Sequence, residues 1–371
     1  MKAFTKLPLA LLFLFILVGC SPKQDTRVEM TFEERIDSLF STVPDFSGVV
    51  LVAEKGRPIY DKFFGYLNFE STGTLNAQSV FELASLSKQF TAMVIMMLKE
   101  EGKLTYDDYI EKYLLGLPYK NITIRHLLTH TSGLPDYQKI MDENWDKTKV
   151  AGNEDILKYL KKYHPEKQFE PGEKYEYSNT GYVLLASIAE KTSEKDFVEF
   201  CRERIFDPLS MFDTDIRSQK EKELIENFAL GHIYVMEKQR YVRADSFPAS
   251  NYTIWLGNRK GPGRISSTAS DLLKWDQALY SERLVKKATL KEAFTPMKLN
   301  NDSLSNYGFG WKIETSELGK VVRHSGDNPG YKTHIIRFVE ADKTVILLCN
   351  NAHEKYGEIL KNIEELIVKP Y

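Results

Sequence analysis

A serine hydroxyl is a poor nucleophile at neutral pH unless a neighbouring group can take its proton. Ser85-Leu86-Ser87-Lys88 supplies that pairing, because residues three apart share one face of a helix, and Ser85 is the only serine in the chain with a lysine three positions on. The lysine can act as a base only if burial or a second cation depresses its pKa. A serine opening a helix is also a common cap, so the tetrapeptide alone leaves both readings open. Tyr177-Ser178-Asn179 is the second candidate: a phenol that can pass protons when ammonium groups stand near it, and an amide that can both donate to and accept from a substrate amide. The Tyr-x-Asn pattern recurs at Tyr66-Leu67-Asn68 and Tyr119-Lys120-Asn121, where loop packing explains it better.

His324-Ser325-Gly326 is the third candidate, at the end of a strand-like Val321-Val322 and before the turn-rich Asp327-Asn328-Pro329-Gly330. A glycine on an edge strand lets an extended substrate lie close, and the imidazole and hydroxyl can bind a carboxylate or carry a proton. A capping cluster around a turn is the competing explanation. His126 and His130 stand at i and i+4, a zinc-site spacing, but Leu127 occupies the position of the general-base Glu and no third ligand stands out. A packing cluster at a helix end is the better reading.

The elements that must hold these residues follow from hydrophobic period. Gly48 to Phe64 reads as a β-hairpin around a Lys55-Gly56 turn. From Ser85 to Leu104 the apolar residues cover nearly the whole circumference of a helix, which predicts a buried one stopped at Gly102. Residues 106–236 are rich in helix-like segments separated by turn signals. Tyr307–Trp311, Val321–His324, Lys332–Glu340 and Thr344–Asn350 read as strands, and Tyr356–Val368 as an amphipathic helix. Strands at both ends around a helical middle predict one sheet built from both termini with a helical insertion.

With 371 residues, 42% hydrophobic and 12% aromatic, the chain can bury one large core or two fused ones; a net charge of −2 argues against a nucleic-acid partner. Lys2 and Lys6 precede an apolar run from Leu7 to Val18 that is short of the roughly 20 residues of a membrane span, so the start reads as a signal peptide. Leu17-Val18-Gly19-Cys20 resembles a bacterial lipoprotein box, which implies cleavage before Cys20 and lipidation of that residue. Ser21 at the next position resembles lipoproteins sorted to an outer membrane, on its periplasmic face. Residues 1–19 are thus the signal and 20–30 the lipidated cysteine and tether. Cys201 and Cys349 are left as two buried thiols, with a disulfide allowed by an oxidising compartment but not deducible.

Taken in order, Ser-x-x-Lys, Tyr-x-Asn and His-Ser-Gly resemble the three active-site motifs of the serine β-lactamase and penicillin-binding-protein superfamily. The wording of 81–92, of Ile124 to Leu134 and of Gly263 to Leu272 is similar to its class C β-lactamase-related branch. The resemblance implies an α/β fold, an antiparallel sheet flanked by helices with an inserted all-α region, spanning 31–371: the α/β part from about 31–84 and 258–371, the helical part about 85–257. It implies that Ser85 forms an acyl-enzyme, that Lys88 and Tyr177 shuttle protons, that Asn179 holds the substrate amide, and that His324, Ser325 and Gly326 line the cleft. It also implies an oxyanion site between the backbone amides of Ser85 and Asp327, and no metal or organic cofactor.

The chain departs from typical class C enzymes in having His324 where they have lysine, and it contains no Lys-Ser/Thr-Gly triplet. A neutral imidazole attracts a carboxylate less than an ammonium does. The expectation is therefore a D,D-carboxypeptidase-like hydrolase of peptides, amides or esters at the cell envelope, acting on a peptidoglycan stem peptide or a comparable small molecule. A β-lactamase that turns over β-lactams, an esterase, and a non-catalytic relative that binds peptidoglycan or a partner protein are the alternatives.

Overall fold

The computed structural model describes Met1, residues 30–71 and residues 73–369; the expected signal peptide beyond Met1, Cys20 and the tether as far as Glu29 lie outside the described residues. Gly48–Glu54 (β1) is buried from Gly48 to Ala53, as a continuous apolar run requires, and Lys55 (φ 50°) and Gly56 (φ 71°) turn it into Arg57–Phe64 (β2). Two successive left-handed residues make the hairpin turn whose twist suits flanking strands.

The C-terminal strands are Lys312–Ser316 (β3), Gly319–Asn328 (β4), Tyr331–Phe338 (β5) and Lys343–Cys349 (β6). Together the six form an antiparallel sheet in the order β2-β1-β6-β5-β4-β3, in which Val50 faces Leu347 and Gly326 faces Thr333. Both ends of the described chain thus meet in one sheet. One face packs on Phe32–Ser41 (α1), opened by a capping box between Thr31 and Glu34, through Ile36, Phe40, Val50 and Leu347. The C-terminal helix Tyr356–Val368 shares that layer, burying Ile359, Ile363 and Ile367 at helical spacing.

The other face carries Val49, Leu51, Ile346 and Leu348 into the larger core, with Ser87–Glu100 (α2) at its centre; every residue of α2 from Ser87 to Leu98 is buried. This matches the nearly all-round apolar pattern. Ala269–Ala278 lies against the same face and is tied to it by the buried Arg337–Asp276 pair, Nε to Oδ1 2.5 Å. The helical middle includes Ile124–Leu128 (α3), Tyr137–Asn144 (α4), Asn153–Tyr163 (α5) and Asn179–Ser193 (α6).

Two regions differ from the expectation drawn from period. The middle also carries short strands, Asp215–Ile216 and the pair His232–Val235 with Arg240–Arg243, so it is not wholly helical. Tyr307–Trp311 is not a strand. Its alternation of aromatic and glycine imitates strand period, but Gly308 sits where a Cβ would lie 2.0 Å from the Ala293 carbonyl, and Gly310 (φ 77°) presses on the backbone of Lys88 and Gln89. The glycines serve close approach, and the segment docks as a loop on α2.

Candidate active site

Phe81–Glu82 pairs with Ile265–Ser267, which pairs in turn with Asp215–Ile216. The strand ribbon delivers the chain to a tight turn: Ala84 is left-handed (φ 50°), Ala84–Leu86 form one turn of 3₁₀ helix, and α2 follows. Leu83 donates its amide to the Ile265 carbonyl (2.9 Å), and Ser87 Oγ accepts the Ile265 amide (3.1 Å). On the other side Thr333 Oγ1 donates to the Leu83 carbonyl (2.9 Å). At Gly326 a Cβ would lie 2.2 Å from that same carbonyl, so only glycine lets β4 pass so near the Ser85 turn. A non-glycine left-handed residue is held there by bonds from three directions.

Lys88 is fully buried, and its Nζ lies 3.1 Å from Ser85 Oγ, 2.8 Å from Asn179 Oδ1 and 2.8 Å from the Pro262 carbonyl oxygen. Burial, with the nearby Arg259 charge added to it, holds its pKa well below that of an ordinary lysine. Among the described residues no carboxylate reaches it. In its deprotonated form the amine has two N–H bonds and one lone pair; Asn179 and Pro262 offer only acceptor oxygens to it, so in that form they take the two N–H bonds and leave the lone pair for the Ser85 hydroxyl. The arrangement can draw the Ser85 proton onto nitrogen.

Tyr177 precedes α6, whose N-cap is Ser178, and is 40% exposed. The Lys88 Nζ lies 4.8 Å from the centre of its ring. Burial raises the phenol above its usual value, against a smaller opposing contribution from a hydrogen bond with Ser85, so it stays protonated at neutral pH and can donate. Asn179 opens α6 with its amide on Lys88.

His324 is buried on β4, beyond the last β3 pairing at Arg323, so residues 324–328 keep one edge free of β3. Its Nδ1 faces the Ser325 carbonyl oxygen (2.7 Å) and its Nε2 the Tyr307 hydroxyl (2.8 Å). A carbonyl can only accept, so Nδ1 bears the proton and Nε2 accepts from Tyr307. Burial pushes the imidazole down to about 3. Ser325 and Asp327 are exposed on the opposite face of the strand, and Asp327 lies 3.4 Å from Lys332 Nζ.

Two contributors carry no catalytic signal in the sequence: Pro262 is not singled out, and His130 is read only as part of a packing cluster at a helix end. Pro262 immediately precedes the Gly263–Leu272 wording but shows no side-chain signal, since its carbonyl does the work. His130 is left-handed (φ 57°) and buried just after α3; its Nδ1 accepts the Ser178 amide (3.0 Å), and its ring lies 4.2 Å from that of Tyr177 and 4.7 Å from that of Tyr307. His126 instead accepts the Thr123 amide at the start of α3 (3.2 Å). The His126–His130 spacing thus splits between a helix cap and a stack that steadies Tyr177. Cys201 and Cys349 are both free and buried.

The family model described as Beta-lactamase matches residues 36–367. Penicillin-binding protein 4* of Bacillus subtilis is 42% identical over 346 residues, covering 91% of this chain and 77% of its own length. A D-aminopeptidase of Brucella anthropi is 26% identical over 77% of this chain and 52% of its own length. Among solved structures, a penicillin-binding protein from Bacillus halodurans superimposes with a TM-score of 0.76 at 25% identity, over 89% of this chain and 98% of that one. D-amino acid amidase from Ochrobactrum anthropi SV3 gives 0.73 at 25%, over 91% and 97%. The chain therefore belongs to the Beta-lactamase family and is a serine hydrolase of the penicillin-binding-protein and D-aminopeptidase type.

Proposed function

We propose that the protein hydrolyses D-amino-acid peptides, amides or esters through a Ser85 acyl-enzyme, in the manner of a D,D-carboxypeptidase. The observation that carries this is the Lys88 amine, desolvated, without a carboxylate, and directed at Ser85 Oγ. In this reading the Ser85 oxygen attacks the substrate carbonyl as its proton passes to Lys88 Nζ. The proton then reaches the leaving nitrogen or oxygen by way of Tyr177, and water repeats the sequence to release the acyl group. Asn179 holds the substrate amide. The free edge of β4 at Ser325 and Gly326 receives the extended chain, the amides of Ser85 and Asp327 stabilise the oxyanion, and His324 shapes that wall as a neutral ring.

The similarity to proteins named as a penicillin-binding protein and a D-aminopeptidase supports this substrate class. An envelope location follows from the reading of Cys20 as a lipidation site. Among the described residues no helix is long and apolar enough to cross a membrane.

The test is intact-mass spectrometry of a form beginning after Cys20, incubated with a penicillin and with D-alanyl-D-alanine peptides, beside Ser85→Ala. A persistent adduct and peptide turnover, both lost in Ser85→Ala, are expected. Fast drug hydrolysis would instead identify a β-lactamase, turnover confined to simple esters an esterase, and undiminished activity in Ser85→Ala would refute the mechanism. Binding without any adduct or turnover would point to a non-catalytic relative.

A further inference from the structure

In the hydrolytic reading, the oxyanion lies between two backbone amides that belong to different elements. Ser85 is on the turn into α2, and Asp327 is near the end of β4. Two such donors act together only if their separation is fixed, since a misplacement of about 1 Å can cost a hundredfold in rate. The end of β4 has little to fix it within the sheet. Its pairing with β3 stops at Arg323, so residues 324–328 are held there by β5 alone.

Two contacts fasten this segment to the residues just before Ser85, and they fall on either side of Asp327 in the chain. At Gly326, the facing Thr333 donates its hydroxyl to the Leu83 carbonyl (2.9 Å), and a Cβ on the glycine would lie 2.2 Å from that carbonyl. At Asn328 the link is a side-chain bond: Nδ2 donates to Glu82 Oε1 (2.5 Å). A carboxylate can only accept, which assigns the amide nitrogen of Asn328 to Glu82. Glu82 is a firm anchor. Its backbone pairs with Ser266 in the ribbon that leads to Ser85, and its other oxygen accepts from Lys222. Asn328, Glu82 and Lys222 are all buried, and a hydrogen bond to an ionised acceptor in such surroundings is stronger than one between neutral groups.

Asn328 also closes β4. Pro329 and Gly330 (φ 84°) turn the chain into β5 directly after it, where a Cβ on Gly330 would lie 2.5 Å from the backbone of Gly231 and of His232. The strand end is thus backed by residues 231–232 and tied to Glu82.

We propose that Asn328, anchored by Glu82, is a positioning residue that holds the Asp327 amide at its distance from the Ser85 amide across the oxyanion site. The inference rests on the Ser85 hydrolase reading and adds to it a side chain that acts through the backbone beside it.

N-acetyl-D-alanine methyl ester and its thionoester, in which sulfur replaces the carbonyl oxygen, form the test pair. Sulfur is larger and accepts hydrogen bonds more weakly, so the thionoester gains little from two correctly spaced amides. The readout is the ratio of kcat/KM, oxygen over sulfur, in wild type, Asn328→Leu and Asn328→Ala. The fraction of folded enzyme cancels in this ratio, and alanine serves where the bulkier leucine does not fold. The expected wild-type ratio is about a hundred, falling about tenfold in the variants while the thionoester rate stays within about threefold of wild type. A ratio that survives both substitutions overturns the proposal, because a loss shared by the two esters belongs to stability or to Lys88. A wild-type ratio near one overturns it without any variant. Both of these outcomes, with turnover that still depends on Ser85, sink this inference alone; absence of Ser85-dependent turnover on either ester sinks the hydrolase reading with it.

Discussion

Two buried lysines lie close to the Ser85 turn and have opposite surroundings. Lys222, on the short helix Gln219–Glu223, is 4% exposed and forms an ion pair with Glu82, which also accepts from Asn328 Nδ2 at 2.5 Å. Lys88 is more deeply buried and meets only neutral oxygens. Burial lowers both, but the Glu82 charge keeps Lys222 at about 8, whereas Lys88 has no such support and falls well below an ordinary lysine. Desolvation, helped by the Arg259 charge, favours the free-base form of a lysine; a carboxylate beside it makes the same residue a structural ion.

The sharpest break in this comparison is to remove the proposed base. Lys88→Met should slow acylation of Ser85 by about a thousandfold, within the usual range for a positioned general base. Because it removes a side chain that has no ionic partner among the described residues, it should leave the melting temperature far less affected than a change at the ion pair does. Stopped-flow labelling with a reporter penicillin and a thermal melt check the two halves, and an acylation rate near wild type would refute the role.

Next in size is the structural pair. Glu82→Gln leaves Lys222 buried without its counter-ion and should cost about 3–5 kcal/mol, measured by denaturant unfolding. The pH dependence has a definite sign. Burial alone would raise Glu82, but the Lys222 and Arg264 charges outweigh it and hold the carboxyl at about 2, below its ordinary 4.5. A carboxyl depressed on folding contributes stability that is complete above about 4.5 and is lost as pH falls toward 2. Glu82→Gln should abolish that part of the acid sensitivity, and an unchanged acid transition would count against it.

The smallest of these changes converts one environment toward the other. Asn179→Asp places a carboxylate where an amide now lies 2.8 Å from Lys88 Nζ. The ammonium form gains a partner, so the Lys88 pKa should rise by about 1–3 units and the acid limb of kcat/KM should move to higher pH by the same amount. A limb that does not move would show that Lys88 does not control the profile.

Much of the scaffold was legible in the sequence because period reports burial directly. The β1–β2 hairpin, the all-round apolar α2 and the amphipathic Tyr356–Val368 helix are local patterns, and each is where its pattern placed it. Tyr307–Trp311 misled because alternating glycine and aromatic residues imitate a strand while the glycines are required by contacts with Ala293 and α2. The site was legible only as side chains. Pro262 acts through its carbonyl and Tyr307 by fixing the His324 tautomer, and neither leaves a mark at the level of residue spacing; the spacing of His130 from His126 suggested packing but not that its ring stacks on Tyr177.

The chain by itself determined that a serine and a lysine stand three residues apart at the start of a buried helix, because helical geometry sets that proximity whatever surrounds it. Tertiary structure decided how strongly the lysine holds its proton. Its two remaining partners, Asn179 and Pro262, come from 91 and 174 residues away, and burial beside them lowers its affinity for a proton. Desolvation belongs to the assembled surroundings of a group and not to its neighbours in sequence, so the proton affinity of Lys88 could be read only once the fold had brought them together.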